Sequence, residues 1–324
     1  MSRRTVLGGA LGAAALTITE SLRPPNAEAA NAPLYTRCSF GAHADDEPYP
    51  NPGAHYGLQS ITGAKIPRMS WFQDMGAPWM NAQTADSAHS NHALCIAWSP
   101  QAFGGAVPFG NIVRGDLDDL LSRYFEKAAQ YPRPVTIRPF WEMNCSASSS
   151  SVDYQNGPTL VQSVPQFHDA WRHLVALQRR VGGSQVKWYF CVNGSDVGAH
   201  AMEEYWPGSD VVDEMGFDTY NDHWSPWADF DVKVAPMYER LAALDAQKPI
   251  TIGEIGCRED GTPPGESKAS WSEKMFTSTQ FPRLKHVDFF NKADGVDWRI
   301  QSSWSSLAVY QKYLPQATSG LVPW

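Results

Sequence analysis

The chain has 324 residues, 43% of them hydrophobic and 19% charged, with a formal net charge of −8. That apolar share is enough for a full core, while the acidic balance disfavours nucleic acid and anionic polymers as partners and favours a neutral one. Five cysteines, Cys38, Cys95, Cys145, Cys191 and Cys257, show no C-x-x-C spacing and no paired histidines, which argues against zinc and for buried thiols.

In chain order, Ser2-Arg3-Arg4-Thr5-Val6-Leu7 precedes an Ala/Gly/Leu stretch, and Ala27-Glu28-Ala29 offers a cleavage site. Residues 1–29 therefore read as a twin-arginine-type signal peptide. Its apolar run is too short to span a bilayer, so the expectation is an exported chain, secreted or in the cell envelope and not membrane-embedded. Export permits a disulfide, and Cys145 with Cys191 is the expected pair if one forms.

From residue 30 onward, eight strand-like runs are expected at 34–40, 66–72, 93–98, 135–140, 186–192, 211–217, 250–255 and 284–290. Amphipathic segments at 117–130, 166–180, 234–244 and 270–278 separate some of them; in the first, apolar residues recur at helical spacing. Strand and helix alternate without a second composition regime, which predicts one (β/α)8 barrel over residues 30–324. The serine tract 146–151 reads as a loop on the side where the strands end. The run His43-Ala44-Asp45-Asp46-Glu47 reads as solvated loop rather than a metal site.

Two runs carry chemistry. Val135-Thr136-Ile137-Arg138-Pro139-Phe140-Trp141-Glu142 and Pro249-Ile250-Thr251-Ile252-Gly253-Glu254 each place a glutamate where a buried strand stops. In a parallel barrel those ends converge on one mouth, and two carboxyl groups there suit cleavage of a glycosidic bond. Period-two alternation puts Arg138 on the face of Glu142. The 13 tryptophans and 12 tyrosines fit either a large aromatic core or a cleft that stacks sugar rings.

The chain resembles glycoside hydrolase family 26, barrels best known as endo-β-1,4-mannanases and including mixed-linkage β-glucanases and β-1,3-xylanases. The marks are Trp71-Phe72-Gln73-Asp74-Met75-Gly76, Ala97-Trp98-Ser99-Pro100, Arg138-Pro139-Phe140-Trp141-Glu142-Met143-Asn144, Tyr205-Trp206-Pro207-Gly208, residues 211–221, Gly253-Glu254-Ile255-Gly256 and Asp297-Trp298-Arg299. The resemblance implies Glu142 as acid/base, Glu254 as nucleophile, and retention of configuration. It further implies that Arg138 and Tyr220 hold the nucleophile, that Asp218 supports the site, and that Trp298 and Arg299 shape sugar subsites. Trp141, Trp98 and Trp71 are candidate sugar contacts, the last two either flooring the cleft or filling the barrel top. Two departures bear on substrate: Trp141 stands where the family usually has histidine, and Cys145-Ser146-Ala147 replaces a glycine and an aromatic. The expectation is a monomer without cofactor or metal that cleaves a β-linked polysaccharide, β-1,4-mannan first. Glucan, β-1,3-xylan or an envelope glycan, and a catalytically silent carbohydrate-binding barrel, are the alternatives.

Overall fold

The computed structural model describes residues 32–44, 52–79, 92–145 and 164–317. The expected signal peptide, the acids at 45–47 and the serine tract at 146–151 lie outside the described residues. Eight parallel strands close a barrel: β1 Ser39–Ala44, β2 Arg68–Asp74, β3 Ala93–Ser99, β4 Val135–Pro139, β5 Val186–Asn193, β6 Glu214–Asn221, β7 Ile250–Cys257 and β8 Leu284–Asn291. Each pairs with its sequence neighbour, and β8 returns to β1. Outside the ring lie α1 Leu34–Arg37, α2 Pro52–Thr62, α3 Phe109–Arg114, α4 Asp118–Gln130, α5 Val164–Val181, α6 Phe230–Leu244, α7 Lys268–Thr277 and α8 Trp304–Tyr313. None of the described helices is long and apolar enough to cross a membrane.

The strands are buried on both faces, as parallel sheets covered by helices are. Their outward residues, among them Ile96, Trp98, Ile137, Trp188, Phe190 and Ile252, join the helices in one core. Helix α4 shows the matching logic: Leu121, Tyr124, Phe125 and Ala128, at helical spacing, are its buried face.

Two strand expectations shift by three residues or more, and the second strand moves from 66–72 to Arg68–Asp74. Residues 34–37 form a helical turn, and the first strand starts at Ser39. Pro33 precedes the turn, Leu34 is buried, and Arg37 Nε and Nη1 donate to the carbonyls of Ala32 and Phe281 at 2.8 and 3.0 Å, so the apolar content here serves a packed helical turn and not a strand. The sixth strand begins at Glu214 and not Val211, because Val211 O accepts from Trp171 Nε1 at 3.0 Å and Asp213 brackets Trp188 from both sides.

The inward face is polar and layered. In one layer Arg68 Nη1 lies 3.2 Å from Glu214 Oε1 and its Nη2 2.9 Å from Asp288 Oδ2, all three side chains buried. A buried guanidinium needs such a fork of carboxylates to offset its desolvation. A second guanidinium layer, built on Arg138, is the candidate site.

Candidate active site

Arg138 comes from β4 and reaches across the barrel. Its Nη1 donates to Asp218 Oδ1 of β6 at 3.1 Å, and its Nη2 forms an ion pair with Glu254 Oε1 of β7. The other oxygen of Glu254 accepts from the Tyr220 hydroxyl at 2.5 Å. Glu254 is thus gripped at both oxygens, which fixes its direction. Asp218 is fully buried; burial pushes its carboxyl well above the usual range, Arg138 opposes, and the charges of Glu254 and Glu142 add to the rise. Cys191 Sγ also donates to Asp218 Oδ1, at 3.2 Å.

Simple alternation would turn Glu254 outward with Ile250 and Ile252. A bulge prevents it: Phe217 pairs with Ile252 and Asp218 with Glu254, which leaves Gly253 as an extra residue in β7. Only glycine fits there, since a Cβ would meet Arg138 Nη1 at 2.6 Å and Asp218 Oδ1 and the Tyr189 hydroxyl at 2.7 Å.

Glu142 arrives differently from the alternation argument. Strand β4 ends at Pro139, and Phe140 and Glu142 both take positive φ, 55° and 56°. Phe140 leaves the inner face to pack on Phe109 and Phe167, while the tight turn returns Glu142 to the mouth. Such backbone is costly for residues with a Cβ and persists only when neighbours enforce it. Here Glu142 N donates to Cys191 O at 2.9 Å and Cys145 N to Glu142 O at 2.8 Å. Asn144 completes the clamp, with Nδ2 donating to Asn193 O at 3.1 Å and Oδ1 accepting from Asn193 N at 2.7 Å. The Glu142 carboxyl is pushed up to about 8, first by burial and then by the Glu254 charge, with Arg138 opposing. One carboxyl group is therefore held as an acid near another that is hydrogen-bonded at both oxygens.

Aromatic rings form a continuous wall beside this pair. Trp141 lies 5.1 Å from Phe72, Phe72 4.9 Å from His43, and His43 5.2 Å from Phe290. Phe290 is 5.8 Å from Tyr220, whose ring is 4.8 Å from Trp298. The Arg138 guanidinium sits 5.6 Å from the Phe72 ring and 5.7 Å from that of Trp141. A cavity of about 10 Å³, room for one water, lies among His43, Phe72, Arg138 and Glu254. Burial lowers the pKa of His43.

The structure brings together Glu142, Glu254, Arg138, Tyr220, Asp218 and Trp141, with Trp298 packed on Tyr220 and Gly256. It does not bring Trp98 to the cleft, and Trp71, although packed in the outer core, only borders the small cavity beside Arg138. Both are fully buried on the outer face, Trp98 4.8 Å from Tyr124 of α4 and Trp71 bonded through Nε1 to Gln73 at 2.9 Å. Phe72 and Phe290, one residue out of phase with such neighbours, line the site instead. Arg299 stands on the loop after β8, paired with Asp297 at 2.8 and 2.7 Å. Lys268 ties that loop down, its Nζ donating to Asp297 O at 3.0 Å, Arg299 O at 2.6 Å and Ser302 Oγ at 2.9 Å. The cysteines are all buried thiols, and the expected Cys145–Cys191 disulfide is not formed. Cys191 faces Asp218 inside the barrel, while Cys145 bridges to Val197 beyond the end of β5. Among the described residues no group of three or more His, Cys, Asp or Glu is arranged to hold a metal ion.

No family model matches the chain. It is 28% identical over 283 residues to Endoglucanase H of Acetivibrio thermocellus, an alignment that covers 83% of this chain and 30% of that protein. The chain thus spans about a third of the length of that relative. A Bacillus subtilis mannanase shares the fold with a TM-score of 0.59 at 14% identity, covering 88% of this chain and 87% of that one. A GH26 β-mannanase from Bacteroides ovatus does so with a TM-score of 0.55 at 16% identity, covering 90% and 93%. What these solved structures share with the chain is the barrel fold.

Proposed function

We propose that this chain is a retaining β-glycoside hydrolase acting on a neutral β-linked polysaccharide, with β-1,4-mannan the first substrate. The observation that carries the reading is Glu254, gripped by Arg138 and Tyr220, facing Glu142, whose carboxyl is raised to about 8. In the reaction, Glu142 gives its proton to the leaving glycosidic oxygen while Glu254 attacks the anomeric carbon. The resulting glycosyl ester on Glu254 is hydrolysed by water, from which Glu142 now takes a proton. Arg138 and Tyr220 aim the nucleophile, and the aromatic wall excludes bulk water and offers flat faces to sugar rings. The leader at 1–29 adds the proposal that the enzyme is exported by the twin-arginine route and works in the envelope or outside the cell.

β-Glucan is the second reading. It is favoured by the name of the endoglucanase relative and by Trp141, which stands where mannanases of the resembled family usually carry histidine.

The test is a panel of soluble β-mannans, β-glucans and β-xylans, with new reducing ends measured for wild type and Glu254→Ala. Release from one polymer by wild type alone names the substrate. Normal turnover by Glu254→Ala with an unchanged thermal transition rejects Glu254 as nucleophile, and sugar binding without any turnover identifies a silent barrel.

A further inference from the structure

Trp224 is 82% exposed, although it lies only four residues beyond Tyr220, the hydroxyl donor to Glu254. A bare indole on a slack loop would fold back onto neighbouring apolar surface. This loop is braced against that. Asp222 Oδ1 accepts from Trp224 N at 3.0 Å, from Ser225 N at 2.9 Å and from the Ser225 hydroxyl at 2.8 Å. Lys233 Nζ donates to Ser225 Oγ at 2.9 Å, and Asn221 and Ala228 close the loop with bonds of 3.1 and 3.3 Å. Such an Asx-type turn fixes the backbone and leaves the ring standing in water.

Its position matters as much as its exposure. Four residues of chain reach at most about 14 Å, so the indole stands within a few sugar units of the carboxyl pair. Phe103, 88% exposed in the hairpin after β3, and Trp304, 88% exposed at the start of α8, also follow strand ends on this face. Among the described residues, these three are the most exposed large apolar side chains. Three rings left uncovered on the one face that bears the carboxyl groups point to a ligand that lies along that face.

We propose that Trp224 is a stacking platform outside the cleavage subsites, seating a ring of the same neutral β-linked glycan that Glu142 and Glu254 cleave. The proposal rests on the hydrolase reading for the identity of the chain. An indole presents an apolar face to pyranose C–H groups and an N–H to a hydroxyl, and needs no charge on the ligand. Binding there is remote from the reacting atoms, so it governs capture of long chains and leaves short ones untouched.

The test compares wild type, Trp224→Ala and Trp224→Tyr in two arms. In the first, retention of each protein by immobilised or gel-embedded β-mannan, β-glucan and β-xylan is measured without regard to turnover. In the second, kcat/KM is measured on the cleaved polymer and on a short oligosaccharide that ends before the platform. The expected result is a loss of about tenfold in polymer affinity and polymer kcat/KM for Trp224→Ala, largely restored by tyrosine, with the short substrate unchanged. Equal retention of wild type and Trp224→Ala, retention of neither, or equal losses on short and long substrates would overturn it. Absence of turnover by wild type, with Trp224-dependent retention intact, would reject the hydrolase reading and leave the platform standing.

Discussion

At the residue scale, the roles proposed for the two glutamates rest on their surroundings and not on their chemistry, which is the same. Glu254 is bonded at both oxygens to cationic or hydroxyl donors, whereas the Glu142 carboxyl is desolvated beside a negative charge. A general acid works while it still holds its proton, so hydrolysis should fall as pH rises through about 8. Because the Glu254 charge is one cause of that raised value, Glu254→Gln should lower the pKa of Glu142. A carbon-13 carboxyl titration of the two proteins measures this, and an unmoved Glu142 resonance midpoint would show that the two groups do not interact. The same local logic made the residues themselves easy to name from sequence. Glu142, Glu254, Arg138 and Tyr220 stand in motifs whose residue types are those the proposed reaction needs.

At the element scale, what was legible was the existence of the strands, and what was not was their phase. Strands β3 and β7 are buried on both faces, so polarity does not alternate along them and the inner and outer sides look alike. That hides the side taken by Trp98 in β3, whereas in β2 the half-buried Ser70 and Phe72 mark the inner face and the buried Trp71 the outer one, a phase that the mixed side chains of that run do not announce. The two irregularities that build the site are equally silent. Phe140 and Glu142 take positive φ without glycine or asparagine to announce it, and the bulge in β7 falls at Gly253, which nothing in the run sets apart from Gly256. Gly253 is nonetheless the element's control point. Gly253→Ala would push a methyl group into Arg138, Asp218 and Tyr189, all buried and unable to yield without parting Arg138 from its carboxylates. The expected outcome is a fall in kcat of about a hundredfold, the cost of misplacing a reacting group by an ångström, with KM and the fold largely kept. Steady-state kinetics and circular dichroism check it; wild-type kcat would mean that the bulge does not set the direction of Glu254.

At the scale of the whole molecule, the barrel carries an unusual load of buried titratable groups, and their signs oppose one another. Burial lowers the pKa of His43, His92 and His286, and brings His55 down to about 4. The folded chain therefore resists protonation that the unfolded chain accepts below about 6.5, and stability is lost as pH falls through that window. Burial raises Glu142 to about 8 and moves Glu214 and Asp218 upward as well. Between the ordinary carboxylate range and about 8 the folded chain holds protons that the unfolded chain has released, so stability is lost as pH rises. Below about 6.5 the two sets work against each other, and from there to about 8, where Lys268 and the buried thiols begin to count, the carboxyl groups dominate. Melting temperature should therefore peak near pH 6 and decline toward pH 8, within the range where most folded chains have their optimum. Glu142→Gln removes one of the groups that titrate within the declining limb, and should shrink that limb while leaving the acidic one, to which Glu142 does not belong, unchanged. Melting curves at half-unit steps from pH 4 to 9 on both proteins separate the two contributions. An alkaline limb identical in the two would place the Glu142 titration elsewhere, and with it the proton that the proposed reaction needs.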